Sequence, residues 1–281
     1  MISSAPNDED RRAYLEALAR SGDDPLDIAE AALILASYER PGVPLERYRA
    51  HLQELITAAR DRIDPQAPAA DRVERLVEVI AGANRYEGDR RTYDDLQNAN
   101  LMRVIDRRRG LPVSLGILYL HTARAVGWQA AGLSFPNHFL IRLDVDGERV
   151  VLDPFSGGNR LGASDLRQML GQMVGEAESL EAHHHADVAD RMVLLRLQNN
   201  IKLRLLGDGK PEAALGVIDR MRFFAPELAA LWRESGIINA KLGNLRTAIA
   251  DIEGALQRLA GADLERHDLA KLAQDLRSRL N

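Results

Sequence analysis

The stretch His138–Phe155, HFLIRLDVDGERVVLDPF, decides how the middle of this chain folds. Its first half alternates, with Phe139, Ile141, Leu143 and Val145 on one side and His138, Leu140, Arg142 and Asp144 on the other, which is the period of a strand. Asp146 and Gly147 follow, a dipeptide that favours a type I′ turn because both central residues of that turn need positive φ. ERVVLDPF is then the returning strand. If Val145 pairs with Glu148, His138 falls opposite Phe155 and Leu140 opposite Asp153. His138 and Asp153 share one sheet face as diagonal neighbours, about 7 to 8 Å apart along the backbone, a gap that imidazole and carboxylate side chains close with a hydrogen bond. A register slip of one residue abolishes the pair.

Working upstream, WQAAGLSF (Trp128–Phe135) reads as a short strand, and Leu115–Val126 as a buried helix closed by Gly127. Ser114 lies where a proline-containing loop enters that helix, near its free N–H groups and the positive end of its dipole. With His138 as base and Asp153 orienting it, Ser114 is the candidate nucleophile of a triad. Each residue also has a plainer reading. Serine is a strong helix N-cap, worth about 1 kcal/mol without any chemistry. His138 can bond a nearby backbone group, and Asp153 before Pro154 can initiate a turn.

The flanks are helical. Asp24, Pro25 and Asp27 mark a helix start that Pro41 and Gly42 bring to an end, followed by apolar sets at helical spacing: Leu45, Tyr48, Leu52, Leu55, Ile56 and Ala59, then Val73, Leu76, Val77 and Ile80. Beyond the hairpin, Ala214 and Ala248, Ile218 and Ile252, and Met221 and Ala255 repeat at a 34-residue offset, the tetratricopeptide period, with Trp232 and Gly236 in the large and small positions of the second unit. So few repeats bury their faces only by stacking, so the tail is expected to dock on the core.

Composition excludes several functions. The net charge of −5 argues against nucleic acid, whose phosphates need a basic face. The longest apolar stretches, such as AALILA from Ala31, are far too short to span a bilayer, and MISSAPNDED has no signal-peptide pattern. There is no cysteine, which removes thiol chemistry and fits a reducing compartment, so the expected location is cytoplasmic. His183, His184 and His185 point in different directions on a helix and have no companion cluster, so no metal or other cofactor is expected. Arg107, Arg108 and Arg109 read as a solvated helix C-terminus, and Gly157 and Gly158 as a turn.

Taken together, RRRGLPVSLGILYLHTARAVGW (Arg107–Trp128), SFPNHFLIRL (Ser134–Leu143) and VVLDPFSGG (Val150–Gly158) resemble the transglutaminase-like core of the bacterial SirB-type proteins, which also carry a tetratricopeptide tail. LQNNIKLRLL (Leu197–Leu206) and WRESGIINAKLGNLRTAIADIEGAL (Trp232–Leu256) resemble that tail. The likeness spans Asn84–Asn159 and Met192–Leu259, and it implies an α+β fold. Helices over 1–83 would pack on a papain- or transglutaminase-like core over 84–180 with a small antiparallel sheet, followed by an α-helical tetratricopeptide-like tail over 187–281. The wider superfamily uses a Cys, His and Asp triad, whose positions correspond here to Ser114, His138 and Asp153, with oxygen in place of sulfur. The resemblance therefore implies a non-catalytic or weakly active factor that binds a protein or peptide. The alternative is a serine-dependent acyl hydrolase or transferase using Ser114, His138 and Asp153.

Overall fold

A computed structural model of the protein describes residues 5–22, 25–174, 180–261 and 263–280. Two compact units emerge, Met1–Arg11 with Asp23–Leu197 and Arg12–Gly22 with Gln198–Asn281. No described helix is long and apolar enough to cross a membrane.

In the first unit the N-terminal helices are α1 (Asp8–Arg20, whose later turns belong to the second unit), α2 (Ile28–Ser37), α3 (Glu46–Arg62) and α4 (Ala69–Val77). Helix α2 is buried all round, and its N-cap is Asp27, whose carboxylate accepts from Glu30 N at 3.0 Å. The cap is thus three residues later than the sequence suggested, and Asp24 lies outside the described residues. In α3 the buried face is Tyr48, Leu52, Leu55, Ile56 and Ala59, as its spacing requires.

The core helix α6 (Pro112–Ala125) starts earlier than expected because Pro112 takes the first helical position, where its fixed φ and missing N–H cost nothing. It packs on β3 (Gln129–Leu133) and β4 (Leu140–Val145). With β5 (Glu148–Asp153), β6 (Asn159–Leu161) and β7 (Asp187–Val188) these form an antiparallel sheet in the order β6-β5-β4-β3-β7. The β4–β5 register runs from Val145 opposite Glu148 to Ile141 opposite Leu152, and both turn residues, Asp146 and Gly147, have positive φ, as the type I′ turn requires. Phe139 and Ile141 lie against Gly116 of α6, while Leu133, Leu140, Val151 and Leu161 on the other face pack under Leu166 and Leu170 of α7 (Ala163–Val174). Helices thus lie on both faces of this small sheet.

Two short parallel strands, β1 (Glu87–Gly88) and β2 (Arg109–Gly110), flank a 3-10 turn at Leu96–Ala99 and helix α5 (Leu101–Arg107). The arginine run is not a solvated helix end. Arg108 turns left-handed at φ +60°, and its guanidinium reaches both the Tyr86 hydroxyl and the His51 ring. Arg107 donates to Asn98 Oδ1 at 2.9 Å and to the buried Asp89 at 3.0 Å. These cations are internal cross-links. Burial first, and then the Arg108 charge, lower the pKa of His51; burial likewise lowers that of His121. The unfolded chain therefore binds protons that the folded chain refuses, so stability is complete above the ordinary histidine value of about 6.5 and falls as the pH drops below it. Urea midpoints measured from pH 7.5 to 5 should decline, and the slope should flatten in His51→Gln.

The second unit contains the later turns of α8 (Asp190–Gly207), α9 (Pro211–Phe224), α10 (Ala229–Lys241), α11 (Leu245–Arg258) and α12 (Asp263–Leu280). Helices α9 and α11 begin 34 residues apart, and Ala214, Ile218 and Met221 are fully buried along with their repeat partners Ala248, Ile252 and Ala255. Gly236 has no room for a side chain, since a Cβ there would meet Ile252 at 2.6 Å. Leu269, Ala273 and Leu276 of α12 close the apolar face of α11.

Candidate functional site

The hairpin register brings His138 and Asp153 together. His138 Nε2 lies 2.9 Å from Asp153 Oδ1, the same oxygen that accepts from Phe155 N at 2.9 Å. Asp153 is only 3% exposed. Burial pushes its pKa up, but hydrogen bonds from His138, the Ser156 hydroxyl and the Phe155 amide outweigh it and hold the carboxyl below its ordinary range. An ionised Asp153 fixes the imidazole with Nε2 toward the acid, leaving Nδ1 as the nitrogen that would serve a reacting group. The His138 carbonyl accepts from Arg196 Nη2 at 2.7 Å. Phe155 stands edge-on to the imidazole with centroids 6.2 Å apart, and Tyr93 stands edge-on to Phe155 at 5.7 Å.

Ser114 takes a different position from either expectation. It is not the N-cap, which is Leu111, but the third helical residue, and it is 0% exposed. Its Oγ donates to Asn98 O at 2.7 Å, with Leu111 O also near at 3.1 Å, and a side chain on Gly110 would meet it at 2.5 Å. Among the described residues no hydrogen bond joins Ser114 to His138. The structure therefore assembles the histidine and the acid while the serine hydroxyl ties α6 to the 3-10 turn. Asn98, Arg196, Arg90 and Tyr93 were not legible as neighbours of this region. Arg90 packs over the Phe155 ring at 5.0 Å and donates to Ser156 Oγ at 3.2 Å. The only local hint was the cluster of charged residues around one tyrosine in GDRRTYDD, Gly88–Asp95. No group of three or more potential ligands is placed to hold a metal ion among the described residues.

The profile of the transglutaminase-like superfamily matches residues 46–199, more than half of the chain. The chain belongs to the transglutaminase-like superfamily. A tetratricopeptide-repeat profile matches residues 201–277. The chain is similar to a UPF0162 protein of Xylella fastidiosa, 28% identical over 244 residues, covering 85% of this chain and 86% of that protein. A UPF0162 protein of Vibrio cholerae is 29% identical over 231 residues, covering 82% and 85% respectively. The UPF0162 protein YchA of Escherichia coli is 25% identical over 227 residues, covering 80% and 84%. The matched region contains Ser114, His138 and Asp153.

Proposed function

We propose that this transglutaminase-like protein, of the SirB type, is a non-catalytic factor that binds a protein or peptide, its tetratricopeptide repeats contributing to the binding surface. The observation that carries the reading is the state of Ser114. A nucleophile has to meet its substrate and surrender its proton to a base, and this hydroxyl is sealed from solvent and gives its proton to a backbone carbonyl. A serine so placed is a structural tie. Tetratricopeptide repeats commonly mediate contacts between proteins, which supports a partner of that class.

The well-formed His138–Asp153 pair favours the competing reading, a serine-dependent acyl hydrolase or transferase. A fluorophosphonate probe separates the two. The folded protein should remain unlabelled, whereas stoichiometric labelling lost in His138→Ala would establish the enzyme. Ser114→Cys supplies the control, since it places the only thiol of the chain at the site. That thiol should resist iodoacetamide in the native state and react in urea. Fast native alkylation would show that the site is open and would count against the proposal.

A further inference from the structure

The sheet face that α7 covers is not covered completely. Directly opposite residues on paired strands project to the same face, so Leu161, Val151, Arg142 and Ala131 form one row across β6, β5, β4 and β3. Over part of that row α7 leaves a cavity of about 500 Å³, within the range of small-molecule sites. Its apolar lining includes Leu133, Val151, Leu161, Leu166 and Leu180. The charged lining is of one sign: Arg142, Arg149 and Arg160, with His185, and no aspartate or glutamate among the described residues. That is unexpected in a chain with a net charge of −5.

The three arginines are differently placed. Arg142 is 6% exposed and is held by Asp187, with Nε–Oδ1 and Nη2–Oδ2 contacts of 2.9 and 2.8 Å, and by Asp144. Asp144 also lies 3.7 Å from Arg149, so one carboxylate is shared by two guanidiniums. Among the described residues the Arg160 side chain makes no hydrogen bond or ion pair, and His185 Nδ1, shielded from solvent, has no hydrogen-bond partner. An apolar floor beside cationic groups that exceed their carboxylates is the complement of an anion carried on an aliphatic body.

We propose that this cavity binds a small monocarboxylate with an aliphatic chain, its hydrocarbon over Val151, Leu161 and Leu166 and its carboxylate at Arg149 and Arg160. The site is distinct from the His138–Asp153 pair and does not depend on the role assigned to Ser114.

Calorimetric titration of the full chain with sodium decanoate, kept below its micelle concentration, tests this. Saturable one-to-one binding is expected, with a decanoate-dependent rise in the melting temperature, because a ligand that binds only the folded state stabilises it. Acetate, which lacks the aliphatic body, and decyltrimethylammonium, which reverses the charge, should show none. The Arg149→Glu/Arg160→Glu double variant should weaken decanoate binding by about tenfold or more. Arg149→Gln/Arg160→Gln should give an intermediate affinity and, because both positions are exposed and no acid is placed opposite Asp144, a urea midpoint close to that of the wild type. A flat decanoate titration, equal binding of the cationic amphiphile or of acetate, or unaltered affinity in the double variants would each overturn the assignment.

Discussion

Replacing Ser114 with aspartate should destabilise the fold by about 4 kcal/mol at neutral pH, whereas Ser114→Ala should cost about 1. The alanine figure is small because neither carbonyl is left bare. Asn98 O keeps the bond from Leu111 N at 3.1 Å, and Leu111 O keeps the bond from Leu115 N at 3.0 Å. Only one net hydrogen bond is lost. Aspartate brings a carboxylate into a fully buried site beside two carbonyl oxygens, where it has no cation to pair with and must stay protonated. Keeping an acid of ordinary pKa about 3.9 neutral at pH 7 costs about 1.4 kcal/mol for each unit between them, or about 4 in all. That penalty should shrink as the pH falls toward 4, a sign opposite to the acid sensitivity set by His51 and His121. Urea melts of both variants at pH 7 and pH 5 measure it. An N-cap serine would instead accept aspartate with little change, so a neutral result would restore the capping interpretation.

Asp251→Ala should cost about 3 kcal/mol, because it strips the nearer carboxylate from a buried cation and the acceptor from two buried polar side chains. Asp251 is nearly inaccessible and accepts from Ser235 Oγ at 2.7 Å, from Asn239 Nδ2 at 3.2 Å and from Arg222 Nη2 at 3.0 Å. The carboxylate thus joins α9, α10 and α11 at one point. Arg222 also lies over Trp232 at 4.1 Å, with Arg258 over the same ring at 4.0 Å, so its position is fixed by more than its charge. Removing the carboxylate leaves Arg222, with little access to water, only the more exposed Asp219 at 3.7 Å, and strips the acceptor from Ser235 and Asn239. Asp251→Asn, which keeps an acceptor, should lose less. Helical circular dichroism during urea unfolding reads both, and an alanine variant as stable as wild type would show that Arg222 finds water or another anion.

The hairpin was readable in the sequence because everything that sets it is local: a period of two, an Asp-Gly turn, and a register that follows from the turn. The 34-residue offset placed the repeat helices for a similar reason, since packing positions recur with the chain. What failed was non-local. The Ser114 hydroxyl finds its acceptor sixteen residues upstream, and nothing in LPVSLG names Asn98. The helix boundary shifted because Pro112 serves as a first helical residue, moving Ser114 out of the capping position and into the first turn. Arg107 and Arg108 were read through the helix dipole, a local rule, whereas their partners Asp89, Tyr86 and His51 come from other segments. The α2 cap moved from Asp24 to Asp27 within a sequence offering acids at both places.

Phe139, the residue next to His138, is clamped between two glycines. A Cβ on Gly116 of α6 would come within 2.5 Å of its ring, and one on Gly132 of β3 within 2.7 Å. The imidazole therefore stands on a backbone whose next side chain is wedged in the protein interior, and Arg196 secures the carbonyl between them. Its orientational freedom is lost when the chain folds, so a molecule that later engages His138 forfeits little further entropy in doing so. Amide exchange at Ile141, buried in β4 and paired with Leu152, should accordingly follow the slowest, whole-unit opening, although residues 136–138 nearby form a surface turn.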